Sequence, residues 1–172
     1  DSLALNLLSK NLVTDQLVLT VGYDVENLDP ARHSYKGEVI IDRYGRKIPK
    51  HAHGTQNLEC FSSSSAEIME AASKLYDRIT DSSLLVRRLN LAACHVTHAN
   101  EAEDKEDGNR QLELFRDWGG TPEKEEKKKA VLEKEKKMQQ AMLSIKNKFG
   151  KNAILKGMNL QEGATARERN EQ

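Results

Sequence analysis

Two short clusters have the residue types of a metal site. Cys94-His95-Val96-Thr97-His98 brings a thiol and two imidazoles into five residues, and His51-Ala52-His53 holds two imidazoles. A zinc ion needs about four ligands converging at roughly 2.0–2.3 Å. On an extended chain these side chains diverge. His95 would face away from Cys94 and His98, and those two would stand about 13 Å apart at roughly 3.3 Å per residue. A strand that ends near Cys94 weakens that objection. Metal ligation is therefore not expected. There is no Gly-x-Ser-x-Gly elbow, no phosphate-binding Gly-rich loop and no dinucleotide fingerprint. No carboxylate pair stands out for two-metal chemistry. The expectation is a non-catalytic chain that needs no cofactor. Cys60 and Cys94, far apart in sequence, read as reduced thiols of a cytoplasmic protein.

A different chemistry is offered by 43-RYGRKIPKHAH-53. Arg43, Arg46, Lys47 and Lys50, with His51 and His53, gather there without an acid among them. Tyr44-Gly45 suggests a turn. Such a loop can hold phosphates through point charges and forked guanidinium contacts. A solvated hairpin tip is the plainer alternative. Arg87 and Arg88 are adjacent on an expected strand, hence on opposite faces, so one of them can join a partner surface.

The third feature is 111-QLELF-115. It follows an acidic stretch and precedes Gly119-Gly120. Apolar anchors on a flexible tether have the pattern of a linear motif that docks in a partner's groove. Leu114 and Phe115 would fill a pocket, Gln111 would hydrogen-bond at its rim and Leu112 would brace the turn. Packing back on the chain's own domain is the alternative.

The elements that must carry these features follow from periodicity. Residues 2–11 read as a short helix with Leu3, Leu7 and Leu8 on one face. Residues 16–23 alternate as a half-buried strand, with Leu17, Leu19, Val21 and Tyr23 inward. Val39-Ile40-Ile41 suggests a ribbon within the connection 24–54. Residues 55–61 read as a strand. Ser64-Ser65-Ala66-Glu67 has the form of a capping box, opening a helix to about residue 80 with Ile68, Ala72, Leu75 and Ile79 inward. Residues 84–97 read as a long strand. The expected fold class is α+β: a small antiparallel or mixed sheet with two helices on one face.

Charge divides the chain further. The whole carries 27 basic and 27 acidic residues. Residues 1–99 are near neutral with 11 basic and 12 acidic groups, residues 100–118 have 3 against 7, and residues 119–172 have 13 against 8. The expected organisation is a domain over 1–98, a flexible acidic linker with the docking motif over 99–120, a charged helix over 121–150 and a polar tail over 151–172. The helix begins at Thr121-Pro122 and is read as solvated, held by pairs such as Glu123–Lys127 and Glu133–Lys137. A contacting arm is the other reading. Val131, Met138, Met142, Ile145 and Phe149 form its thin apolar stripe. Nothing at the start resembles a leader peptide, no apolar run approaches the roughly 20 residues of a membrane span, and no membrane partner is expected.

QLELF resembles the pentapeptide by which bacterial polymerases and repair proteins bind the sliding clamp. The stretches DQLVLTVGYDVEN, DRYGRKIPKHAHGTQNL and KNAILKGMNLQEGAT are similar to segments of the ImpB/MucB/SamB (UmuC-like) branch of Y-family translesion DNA polymerases of Gram-positive bacteria. The resemblance covers most of the chain. It implies a little-finger domain, a four-stranded sheet with two helices on one face, lying along template–primer duplex without reading sequence. Arg43, Arg46, Lys47, Lys50, His51, His53, Arg87 and Arg88 are the DNA-binding candidates it implies. Gln111, Leu112, Leu114 and Phe115 are the clamp-binding ones. The chain lacks the palm, fingers and thumb of such polymerases, and with them the carboxylates that hold catalytic Mg. It resembles the family from within the first little-finger helix onward, so the first strand is expected to be missing and a sheet edge exposed. The resemblance places the chain in translesion synthesis, DNA repair and the SOS response to DNA damage. A stand-alone adaptor that binds the clamp or another protein, and never DNA, is the competing expectation.

Overall fold

The computed structural model describes residues 1–31, 35–102 and 122–171. The elements are α1 (Ser2–Ser9), β1 (Leu12–Tyr23), a 3-10 turn (Val25–Leu28), β2 (Val39–Ile41), β3 (Lys47–Pro49), β4 (Ala52–Ser62), α2 (Ser65–Ile79), β5 (Val86–Cys94), β6 (Thr97–His98), α3 (Pro122–Phe149), a second 3-10 turn (Gly157–Leu160) and α4 (Ala166–Glu171). The fold is α+β with a small antiparallel sheet, as the periodicity anticipates.

The centre is β1. It pairs antiparallel with β4 on one side and β5 on the other. Its alternation decides what each face does. Leu17, Leu19, Val21 and Tyr23 are buried. Ala4 and Leu7 of α1 pack with Leu17, and with Ile68 and Ala71 of α2. Leu75 of α2 joins Leu19, Val21 and Tyr23. Both helices therefore cover the same sheet face. The opposite face carries Gln16, Val18, Thr20 and Gly22, paired in register with Asn57, Thr55 and His53 of β4 and with Cys94, Ala92, Asn90 and Arg88 of β5. No carboxylate occupies any of these positions.

Local chemistry accounts for the boundaries. Asn11 ends α1 in the left-handed region, φ 52, which asparagine tolerates better than most residues. β1 starts directly after it, four residues earlier than the alternation alone suggests. Ser64 caps α2 by accepting from the Glu67 amide at 3.2 Å. The reciprocal half of the expected box is absent: the Ser64 amide donates to the Ser62 hydroxyl at 3.0 Å. Gly54 lets α2 lie close on β4, since a Cβ there would stand 2.8 Å from Ile79 Cγ2 and 3.0 Å from Leu75 Cδ1.

The strand expected over 84–97 breaks. His95 has φ 50 and splits it into β5 and β6, and β6 then pairs with the first residues of β1. β5 has no strand on its outer side among the described residues. Its run Leu89–Cys94 bears no charge, and Leu89 is 58% exposed. Beyond Arg87 and Arg88, this edge lacks the charges that usually discourage edge-to-edge pairing.

The lysine-rich helix is not solvated all round. α3 lies against α1, and its Gln139 is only 3% exposed. The side chains turned inward are Leu132, Glu135, Gln139, Met142 and Leu143, whereas Val131 and Phe149 of the expected stripe are 65% and 67% exposed. Glu135 fixes this register. Its carboxylate accepts from Ser64 Oγ at 2.7 Å and from the Ala66 amide at 3.0 Å, at the N-terminus of α2. Anionic oxygens are favoured there because the first-turn amides lack partners. No helix among the described residues is long and apolar enough to cross a membrane.

Candidate nucleic-acid interface

A ribbon and an edge strand, remote in sequence, build a cationic cleft. β2 and β3 pair in register Val39↔Pro49 to Ile41↔Lys47, leaving a tip of residues 42–46. Asp42 sets the tip. Its Oδ1 accepts from the Tyr44 amide at 2.8 Å and the Arg46 amide at 2.9 Å. Gly45 adopts φ 77, a conformation that side-chain-bearing residues resist. The Gly45 amide closes the turn on the Asp42 carbonyl at 3.0 Å.

Pro49 is fully buried, and β3 packs on the first 3-10 turn and β1. That brings the tip beside the start of β5. Asn27 secures the same corner from within. It is 2% exposed, and its amide bridges the backbone of Leu85, accepting from the Leu85 N–H at 2.8 Å and donating to the Leu85 carbonyl at 2.9 Å. The result is a cleft of about 380 Å³ whose walls include Arg43, Tyr44 and Arg46 of the tip and Arg87 and Arg88 of β5.

Two of these guanidiniums already have internal partners. Arg46 Nε and Nη2 both donate to Asp42 Oδ2, at 2.9 and 2.6 Å. These hydrogen bonds lower the Asp42 pKa below the ordinary carboxylate range and raise that of Arg46. Arg46 also lies over the Tyr44 ring, 5.2 Å from its centroid. Arg87 meets Asp24 at a longer 3.4 Å. Arg43 and Arg88 have no acidic partner among the described residues. The stretch 43–53 contains no acid, but Asp42 immediately before it and Glu38 across the ribbon supply two.

The remaining sequence candidates scatter. Lys47 is exposed on β3. Lys50 donates to Glu38 at 2.6 Å, which raises its pKa. His53 lies on the uncovered sheet face with Nδ1 2.9 Å from Thr20 Oγ1. His51 sits in a separate recess with Tyr35, Ile79 and Leu84. The residues brought together are thus Arg43, Arg46, Arg87 and Arg88, with His53 further along the same sheet face as Arg88. Arg87 and Arg88 also share the cleft, because a register shift between Gly22 and Tyr23 interrupts strict alternation at that point. The sequence reading missed Asp24, Asn27 and Asp42, which position these cations. Asp42 was accessible to it, since Asp42-Arg43-Tyr44-Gly45 has the aspartate and glycine of a tight turn.

His95 Nδ1 lies 3.0 Å from Asp15 Oδ1. No group of three or more His, Cys, Asp or Glu side chains among the described residues could hold a metal ion. Gln111, Leu112, Leu114 and Phe115 lie outside the described residues. No protein-family model matches this chain, and no curated protein or solved structure matches it either.

Proposed function

We propose that this chain is a non-catalytic DNA grip: the little-finger-like portion of a Y-family translesion polymerase, acting in DNA repair in the cytoplasm, with QLELF tethering it to the sliding clamp. The observation that carries the reading is the cleft in which Arg43 and Arg46 of one ribbon meet Arg87 and Arg88 of a distant strand. It stands at one end of an uncovered sheet face that has no carboxylate at its paired positions. Guanidinium groups match phosphate oxygens in forked geometry. Neutral amides and hydroxyls such as Gln16, Asn57, Thr20 and Asn90 can follow them along a sugar–phosphate backbone without a repelling charge.

The test is binding of a fluorescent duplex across a salt series. Each phosphate neutralised contributes about −0.9 to the slope of log K against log salt. Arg43→Ala with Arg88→Ala should weaken binding and flatten the slope by roughly 2. Duplex affinity that ignores salt, or that is undetectable at both low and moderate salt, rejects the DNA reading. Reversing the charges of Arg46, Lys47 and Lys50 separates the adaptor alternative, which requires clamp binding with no DNA contact. For the tether, Leu114→Ala with Phe115→Ala should abolish binding to a purified bacterial clamp, and unchanged binding rejects that part.

A further inference from the structure

We propose that Tyr44 is a stacking post for an unpaired base, so that the cleft holds a nucleotide at a single-strand junction more tightly than uniform duplex. The inference rests on the DNA reading above and narrows it. Tyr44 is the most exposed of the large hydrophobic side chains among the described residues, at 78%. A hairpin tip has no packing need for an aromatic ring in water, where a polar residue would be favoured. The ring is nevertheless held in place. Its backbone amide is bonded to Asp42, and the Arg46 guanidinium that covers it is itself fixed by two hydrogen bonds to Asp42. Little order has to be acquired when a ligand arrives.

The guanidinium lies over one face of the ring, and the high exposure leaves the other accessible. That free face belongs to a residue of the cleft that also contains Arg43, Arg87 and Arg88. A flat aromatic surface beside clustered guanidiniums matches a nucleotide, which offers a base plane and a phosphate a few ångströms apart. Paired duplex cannot use the ring, because its bases are stacked on one another. An unpaired base can, and stacking is indifferent to which base it is. An acidic peptide could engage the guanidiniums but would leave the ring without a role.

Three probes of equal phosphate count test this on the full chain: a blunt duplex, a duplex with a thymidine overhang, and single-stranded oligothymidine. Tyr44→Ala should lower affinity for the overhang and the single strand roughly five- to a hundredfold, while the blunt duplex changes less than about twofold. Tyr44→Phe should restore binding, since a stacking face is all that is required. Far-ultraviolet circular dichroism should not change, because the ring packs on no core residue. Equal loss on all three probes, or no loss on the overhang, overturns the stacking role while leaving the DNA reading intact. Failure of the unmodified chain to bind any probe at low salt overturns both. Binding of an aspartate-rich peptide with the same Tyr44 dependence, and of no oligonucleotide, also overturns it.

Discussion

Replacing Glu135 with alanine should cost about 3 kcal/mol of stability and loosen α3 from the domain. The carboxylate accepts three hydrogen bonds: from Ser64 Oγ at 2.7 Å, the Ala66 amide at 3.0 Å and Gln139 Nε2 at 3.3 Å. Removing a capping acceptor at a helix N-terminus costs about 1 kcal/mol, and losing the negative charge there adds a few tenths. The Ser64 hydroxyl and the Gln139 amide are both buried, and leaving a buried polar group unpaired costs about 1–3 kcal/mol each. Ser64 can still accept from the Glu67 amide, and water can enter once the carboxylate is gone, so the lower end of that range applies. Glu135→Gln should lose about half as much, keeping a carbonyl acceptor but no charge. Urea unfolding followed by circular dichroism measures the total, and amide exchange along residues 132–146 reports whether α3 detaches first. A Glu135→Ala protein within about 0.3 kcal/mol of the parent, with unchanged exchange in α3, would show that the helix is held by something other than this contact.

Two further perturbations probe the fold and the cleft. Gly54→Ala should destabilise by roughly 1–3 kcal/mol through overpacking, because the added methyl would stand 2.8 Å from Ile79 Cγ2 and 3.0 Å from Leu75 Cδ1; thermal melting that is unchanged or raised would mean that α2 shifts freely on β4. Asp42 should titrate below the ordinary aspartate value of about 3.9, chiefly because the Arg46 side chain hydrogen-bonds to its charged form. A depressed carboxylate pKa gives stabilisation that is complete above the unfolded value and is lost as pH falls through the folded one. The Tyr44 and Arg46 amide resonances should therefore hold steady down to the ordinary aspartate range and move only below it. Movement centred at or above that range contradicts the arrangement.

The elements that periodicity alone can specify were legible in the sequence. The alternation of Leu17, Leu19, Val21 and Tyr23 gives both the central strand and its buried face, and Ile68 and Leu75 give the inner side of α2. What failed was decided at long range. The expected stripe on α3 took the apolar series Val131, Met138, Met142, Ile145 and Phe149, which a 3.6-residue period favours, and of these Met142 alone is half-buried. The helix instead turns inward the neighbouring line, Leu132, Glu135 and Gln139, because a carboxylate at position 135 answers unpaired amides 69 residues earlier in the chain. The candidate site divided in the same way. The basic ribbon could be read from its own residues, and so could a turn at Tyr44-Gly45. That its tip meets Arg87 and Arg88 depends on Asn27 tying the first 3-10 turn to Leu85, a contact 58 residues apart with no local sequence signal.

The internal ion pairs bear on how strongly such a cleft can bind. Of its four guanidiniums, Arg46 is engaged by Asp42 and Arg87 by Asp24. Arg43 and Arg88, without an acidic partner among the described residues, are left to attract an incoming anion at long range, so steering by this surface alone is modest and is further screened at physiological salt. The same pairs hold two guanidiniums in place before binding, which lowers the ordering cost of each contact that forms. A preorganised but partly neutralised surface gives contacts that form and release readily, as the proposed DNA grip would require. Weak contact of this kind gains occupancy from a second attachment, which converts each later encounter into an intramolecular one. The chain is built in the right order for that. Ala102 is buried, and α3 is bound back onto the same body through Glu135. Residues 103–121, which carry QLELF, lie in sequence between Ala102 and α3. Under the proposed function, a clamp bound there would hold the arginine cleft near the duplex, and the modest charge of the cleft would then suffice.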